Sequence, residues 1–150
     1  MTASDTNPPD EVILHRMVWH PDAFDDGKLT SSAAFPSRDL NGVRFVSVDR
    51  HDLFDQVGTL ERAALQQERA DGIIHIRNEV WIADFPCGPI RLIVDDTNSR
   101  PLQVTSEEEE FNPAHCGIWN TSGKQGKAYI NMLRAKLMKL KLHEWRLTAS

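Results

Sequence analysis

The stretch Asn112–Asn120 holds the only adjacent histidine and cysteine of the chain, His115 and Cys116. Such a pair suggests a thiolate nucleophile with an imidazole base, and the two groups must then meet at hydrogen-bonding distance. We predict a short strand after a turn at Pro113, and successive side chains of a strand point to opposite faces of the sheet. The two residues therefore cannot serve each other. Cys116 is predicted to be a buried structural thiol, and His115 remains as the candidate functional residue.

A cation, two hydroxyl groups and this imidazole define a candidate anion pocket. Arg16 lies on the first predicted strand, and Ser31 and Ser32 belong to a run of three hydroxyl residues. Gathered around His115, they would form a cationic, hydroxyl-rich cleft that suits a phosphate group or a nucleotide. The alternative is that the hydroxyls cap backbone groups and that one of His15 and Arg16 is a satisfied core or edge residue. The candidates for catalysis are Arg16, Ser31, Ser32 and His115, and the candidates for ligand binding are Arg16, Ser32, Asp49 and His115.

Two further patterns resemble ligand sites. Asp49, His51 and Asp52 offer two carboxylates and an imidazole, a set that suits Mn, Fe or Zn. Their spacing matches no closed metal motif, so we favour a solvated loop and predict no metal and no cofactor. Thr121–Lys124 precedes a predicted helix, where free N–H groups favour an anion, but it lacks the pattern of a phosphate-binding P-loop. Ser122 is predicted to be the N-cap of that helix.

With 150 residues, the chain is predicted to form a single α+β domain over residues 11–150 after a disordered tail of residues 1–10. We expect a mixed, mainly antiparallel sheet of about five to seven strands, because the connections are short. One middle helix, Leu53–Ala70, and a long C-terminal helix, Lys127–Trp145, pack on it. The predicted strands are Val12–Trp19, Val43–Asp49, Ile73–Ile76, Val80–Phe85, Ile90–Val94, an edge strand Pro101–Val104 and a short strand around Cys116–Ile118.

Charge is distributed unevenly along the chain, whose formal net charge is −5. Residues 121–150 contain seven basic residues and one acidic residue, a net of +6, so the other 120 residues carry −11. The basic C-terminal helix could bind nucleic acid. We favour docking of this helix on the acidic body, because the overall acidity weakens the attraction of phosphates.

Nothing in the sequence predicts a membrane protein. Residues 1–10 lack the apolar segment of a signal peptide, and no apolar run reaches the roughly 18–20 residues that a spanning helix requires. Two cysteines are too few for a disulfide framework. We therefore expect a cytoplasmic protein without membrane contact.

The order of Arg16, Asp26–Phe35, Val46–Asp49 and Asn112–Ile118 resembles a widespread group of small, uncharacterised bacterial proteins. The shared pattern is a basic residue on the first strand, a D-G-x-x-[ST]-S-x-A-F segment, an S-V-[DY] strand and a late P-A-H motif. The resemblance covers residues 12–120 in patches, leaves out the final helix and implies no activity.

A second, looser resemblance is to ADP-ribosyltransferase-like folds. Those proteins have a histidine or arginine on the first core strand and a later strand rich in serine and threonine, a layout that His15-Arg16 and Ser31-Ser32 resemble. The late catalytic glutamate of those folds has no equivalent in this chain.

Two classes of function follow from these patterns. The first is an interaction subunit of a bacterial multi-protein system, of a defence or toxin–antitoxin type, that binds a protein partner. The alternative is a small nucleotide- or RNA-directed enzyme, ADP-ribosyltransferase-like or phosphate-handling, with Arg16, Ser31, Ser32 and His115 in one cleft. The arrangement of these residues and Asp49 in space distinguishes the two.

Overall fold

One six-stranded antiparallel sheet forms the centre of the fold. The computed structural model describes residues 7–18, 24–25, 28–53, 58, 79–109 and 112–148. Its strands are β1 (Ile13–Val18), β2 (Phe24–Asp25), β3 (Lys28–Leu29), β4 (Val46–Arg50), β5 (Glu79–Pro86), β6 (Leu102–Ser106), β7 (His115–Asn120) and β8 (His143–Thr148). Its helices are α1 (Ser31–Ala34), α2 (Cys87–Arg91) and α3 (Lys127–Lys139), with a 3₁₀ turn at Ser37–Asp39.

The strand order across the sheet is β6-β7-β4-β1-β5-β8, and β2 and β3 form a separate hairpin. Every described strand pair is antiparallel. The predicted α+β class is therefore confirmed, but the described sheet is antiparallel throughout and not mixed. The short connections favour this arrangement, because parallel strands need long crossovers.

One face of the sheet is apolar and packs on α1 and α3. Side chains alternate along each strand, so every second residue of β1, β4, β5 and β7 contributes to this core. The core side chains include Leu14, Val18, Val46, Val48, Phe85, Cys116 and Ile118 from the strands and Ile130, Leu133 and Leu137 from α3.

Basic residues fasten α3 to the body of the fold. Arg134 donates from Nε to the carbonyl oxygen of Phe35 at 2.9 Å, and the ammonium group of Lys136 donates to the carbonyl oxygen of Val94. Docking of the basic helix on the body therefore uses backbone carbonyls at these two residues, and not acidic side chains.

The segment Ile90–Val94 was expected to be a strand, and this prediction is wrong. Residues Cys87–Arg91 form α2, with Pro86 as the N-cap. Proline is tolerated in the first turn of a helix, where Pro89 lies. Ile90 and Ile93 are buried and Leu92 is 57% exposed. This is the three-residue spacing of a helical turn and not the alternation of a strand.

The C-terminal helix is shorter than predicted. α3 ends at Lys139 after 13 residues, and its N-cap is Gly126 and not Ser122. Ser122 instead donates from its hydroxyl to Asn120 Oδ1 at 2.7 Å. The residues expected to continue the helix to Trp145 enter β8, which pairs with β5. Pairing along an existing strand outweighs helix propensity here.

Residues 7–10 belong to the fold, although the sequence predicts a disordered tail there. Asn7 Oδ1 accepts from the backbone N–H of Ser106 at 2.9 Å, and Asp10 accepts from Arg91 at 2.7 Å. Arg91 also donates to the carbonyl oxygen of Val104 at 2.9 Å. These contacts satisfy outward-facing backbone groups of the edge strand β6. Covering such groups commonly protects a sheet edge from pairing with another chain.

The remaining predicted elements are either confirmed or lie outside the described residues. The strands predicted at Val12–Trp19, Val43–Asp49, Val80–Phe85, Pro101–Val104 and Cys116–Ile118 correspond to β1, β4, β5, β6 and β7. The helix predicted at Leu53–Ala70, except for Leu53 and Gly58, and the strand at Ile73–Ile76 lie outside the described residues. Within the described segments, no helix has the length and hydropathy to cross a bilayer.

Candidate active site

A row of alternating histidines and aspartates crosses the second face of the sheet. Asp49 of β4 lies directly opposite His15 of β1 and His115 of β7. Asp84 of β5 lies opposite His15 and His143. Residues that are directly opposite share a face, and their Cβ atoms are about 4.5–5.5 Å apart. We call His115, Asp49, His15, Asp84 and His143 the histidine–carboxylate row.

The centre of the row is a buried imidazole–carboxylate pair. His15 Nδ1 lies 2.6 Å from Asp84 Oδ1, and the two residues are 3% and 4% exposed. A carboxylate can only accept, so Nδ1 carries the hydrogen. Nε2 of His15 is buried and has no hydrogen-bond partner among the described residues. In the neutral ring this nitrogen is an unprotonated acceptor.

The second aspartate has a different environment. Asp49 is 4% exposed, and Asn112 Nδ2 donates to its Oδ1 at 2.9 Å. Asn112 is itself fixed, because its Oδ1 accepts from the backbone N–H of Ala114 at 3.1 Å. Burial raises the pKa of Asp49; the Asn112 hydrogen bond and the charges of His115 and His15 oppose this, and Glu109 adds to it.

His115 forms the outer end of the row beside two aromatic rings. Its Nδ1 lies 2.8 Å from the carbonyl oxygen of Glu107 and 2.9 Å from Glu109 Oε1. Its ring lies 5.7 Å from the Phe45 ring, which in turn lies 4.9 Å from Trp119. Gly117 permits this packing, because a Cβ there would lie 2.6 Å from Phe45 Cδ2.

The predicted anion pocket does not assemble. Arg16 follows His15 on β1 and therefore points to the opposite face from His15, Asp49 and His115. Its Nε donates to the carbonyl oxygen of Ala34 at 2.8 Å, and burial lowers the pKa of its guanidinium. Ser31 and Ser32 are exposed residues of α1, which contacts β1 and α3. Of the predicted binding residues, the structure brings together only Asp49 and His115.

The two other sites considered from the sequence, a metal site and a reactive cysteine, are also not formed by the described residues. Asp52, weighed as a metal ligand, accepts two hydrogen bonds of 2.7 Å from Arg50. The described residues include no cluster of three histidine, cysteine or acidic side chains arranged to hold a metal ion. Burial raises the pKa of Cys116 to about 12 and that of Cys87 to about 11. Neither cysteine is therefore a thiolate at neutral pH, as the structural interpretation of Cys116 requires.

Three residues of the row, His15, Asp84 and His143, were not selected as site residues from the sequence. The available signal for the first two was a polar residue inside each of two apolar strands, Val12–Trp19 and Val80–Phe85. Connecting them requires the β1–β5 register, which pairs residues 69 positions apart. Searches of family models, curated proteins and solved structures find no match to this chain, so the chemistry of the row rests on its own geometry.

Proposed function

We propose that the protein is a hydrolase in which His15 is the general base toward an attacking water molecule. One observation carries the proposal: His15 Nδ1 is held 2.6 Å from Asp84, while Nε2 has no partner among the described residues. A general base must present an unprotonated atom to the hydrogen that it removes. A carboxylate behind the ring fixes the required tautomer and stabilises the imidazolium that forms.

Nε2 of His15 has no partner among the described residues, which favours this function over a purely structural one. Buried polar atoms are almost always hydrogen-bonded, and leaving one unsatisfied costs about 1–3 kcal/mol. A structural histidine at 3% exposure would be expected to satisfy both ring nitrogens. His15 satisfies one nitrogen with a charged group and keeps the other as an acceptor for an incoming O–H.

The charges around the row favour a neutral substrate. Asp84 accepts from His15 at 2.6 Å, and its carboxylate would repel a phosphate. The cation expected for phosphate binding, Arg16, lies on the opposite face and donates to backbone carbonyls. A nucleotide- or RNA-directed reaction would need its phosphates bound on another surface. We therefore propose a neutral carboxylic ester as the substrate class.

The variant His15→Asn tests this function. Asparagine keeps an N–H donor for Asp84 at the position of Nδ1 and lacks Nε2. Hydrolysis of p-nitrophenyl acetate is expected to fall roughly 10²–10⁴-fold, the usual contribution of a general base. Ser32→Ala, which changes an exposed hydroxyl of α1, is the matched control and should keep the wild-type rate. Circular dichroism checks the fold of both variants.

Two outcomes would contradict the proposal. One is a folded His15→Asn variant with the wild-type rate. The other is a wild-type protein that accelerates hydrolysis of no neutral ester in a series from acetate to octanoate.

A second candidate function is an interaction subunit of a bacterial multi-protein system of a defence or toxin–antitoxin type, acting in the cytoplasm. It is favoured by three large apolar side chains with high exposure: Val43 at 73%, Leu92 at 57% and Leu142 at 48%. Exposed apolar side chains mark a partner surface where they form one contiguous patch, and such a patch is what this function requires of these residues. Co-purification from the native host followed by mass spectrometry tests it, and recovery of free monomer alone would count against a stable partner.

A further inference from the structure

We infer that Asp49 is the general acid of this site and donates a proton to the leaving oxygen of the substrate. The inference rests on the proposed hydrolase function and adds the group that completes it. A base alone activates water, whereas cleavage of an alkyl ester also requires a proton for the departing alkoxide.

The position of Asp49 suits this role. It is directly opposite His15 on β1 and directly opposite His115 on β7, so its carboxyl lies on the same face as the proposed base. The Cβ atoms of directly opposite residues lie about 4.5–5.5 Å apart, so the two side chains are neighbours on that face. Both residues are held on strands of the central sheet, which fixes their separation.

The two aspartates that flank His15 differ in what donates to them. Asp84 accepts from the imidazole of His15 at 2.6 Å. Asp49 accepts from the neutral amide of Asn112 at 2.9 Å. Asp84 is therefore engaged with the proposed base, while Asp49 is the carboxyl on the other side of His15.

Burial of Asp49 supports a proton-bearing carboxyl. Burial is the largest influence and raises its pKa, and Glu109 acts in the same direction. Asn112, His115 and His15 act against the rise but do not cancel it. The carboxyl therefore keeps its proton to a higher pH than an exposed aspartic acid does.

The proton balance of one turnover closes. His15 Nε2 takes a proton from water as the water oxygen bonds to the acyl carbon. The bond from the acyl carbon to the alkoxy oxygen then breaks, and that oxygen takes the proton of Asp49. The products are a carboxylic acid and an alcohol. Transfer of a proton from the His15 imidazolium to the Asp49 carboxylate through solvent restores the starting state.

Dependence on the leaving group tests this assignment. The variant Asp49→Asn keeps an oxygen that can accept from Asn112 and loses the acidic proton. p-Nitrophenolate leaves without help, whereas ethoxide needs a proton. Asp49→Asn should therefore slow hydrolysis of ethyl acetate at least roughly 10-fold more than that of p-nitrophenyl acetate. Wild-type kcat/KM for ethyl acetate should also fall as the pH rises through the folded-state pKa of Asp49, and this fall should be absent in the variant.

The outcomes separate this inference from the proposed function. If Asp49→Asn slows both esters equally, or neither, while His15→Asn is inactive, Asp49 is not the acid and the base assignment stands. If His15→Asn is folded and active, both assignments fail. If Asp49→Asn does not fold, the wild-type profile decides, because a wild type whose kcat/KM for ethyl acetate shows no fall with rising pH overturns the inference.

Discussion

Phe85 and Asp84 are consecutive residues of β5, both buried, and they point to opposite faces of the same sheet. Phe85 is 0% exposed, and its ring lies 5.0 Å from that of Phe35 within the apolar core. Asp84 is 4% exposed and bonds to an imidazole. One face therefore carries the hydrocarbon core together with Arg16 and Arg50, while the other buries imidazole and carboxyl groups.

This difference shows how the fold supports the site. A slip of one residue between two strands would exchange the two faces and bury Asp84 and Asp49 among hydrocarbon side chains. The apolar face therefore fixes the register, and the register aligns the histidine–carboxylate row. Substitutions on the apolar face are expected to change stability first, and substitutions in the row are expected to change catalysis first.

Phe85→Ala should give the largest effect on stability. Removing a fully buried aromatic side chain is expected to lower the free energy of unfolding by about 3–5 kcal/mol, measured by urea denaturation. Below its melting temperature the variant should retain hydrolysis, because the row is unchanged. A loss of less than about 1 kcal/mol would contradict the assignment of this face as the core.

Asp84→Asn should mainly affect catalysis. The asparagine amide can donate to Nδ1, which favours the tautomer with hydrogen on Nε2 and blocks proton acceptance. We expect kcat for p-nitrophenyl acetate to fall roughly 10²–10³-fold with the fold retained. An unchanged kcat in a folded variant would show that Asp84 does not orient the base.

Gly117→Ala should show how closely the row depends on packing beside it. The added Cβ would lie 2.6 Å from Phe45 Cδ2, and Phe45 contacts His115. A loss of roughly 1–3 kcal/mol is expected from this overpacking, measured by thermal unfolding. Gly126→Ser is the matched control, since nothing lies within 4 Å of its Cβ position and serine is a good N-cap. Equal stability of the two variants would contradict the close contact.

Among these variants, Asp49→Asn should have the smallest effect on stability. The informative measurement is how this effect changes with pH. Burial raises the pKa of Asp49 above its ordinary value of 3.8, so the folded protein holds a proton that the unfolded chain releases. This contribution to stability is fully present below pH 3.8, the ordinary pKa of aspartic acid. It is lost as the pH rises through the folded-state pKa of Asp49.

Asparagine has no such proton, so the melting temperature of the variant minus that of the wild type should increase as the pH rises from about 4 through the folded-state pKa of Asp49. Differential scanning calorimetry in matched buffers measures it. A difference that decreases over this range would mean that the pKa of Asp49 is lowered by folding.

The sequence predicts much of the sheet, because apolar alternation marks β1, β4, β5, β6 and β7. The prediction fails at α2. The apolar composition around Ile90 and Ile93 suggests a strand, whereas the burial of these two residues follows the spacing of a helix. It also fails at β8, because only pairing with β5 distinguishes this segment from the end of α3. Local patterns do not contain that tertiary contact.

The site is predicted in part for the same reason. Asp49 and His115 are both selected from the sequence, and the structure places them opposite each other. Arg16 is selected in place of its neighbour His15, although strand alternation allows only one of them to face a given site. The choice between them depends on the register with β4 and β5, which a single sequence does not specify.

The most direct test of the central claim is the protonation of the His15 ring. Long-range ¹H–¹⁵N correlation spectra, assigned by the signals lost in His15→Asn, distinguish the two ring nitrogens. With the ring in its neutral form, we expect hydrogen on Nδ1, bonded to Asp84, and an unprotonated Nε2. Hydrogen on Nε2 would contradict the account, because His15 could then accept no proton from water.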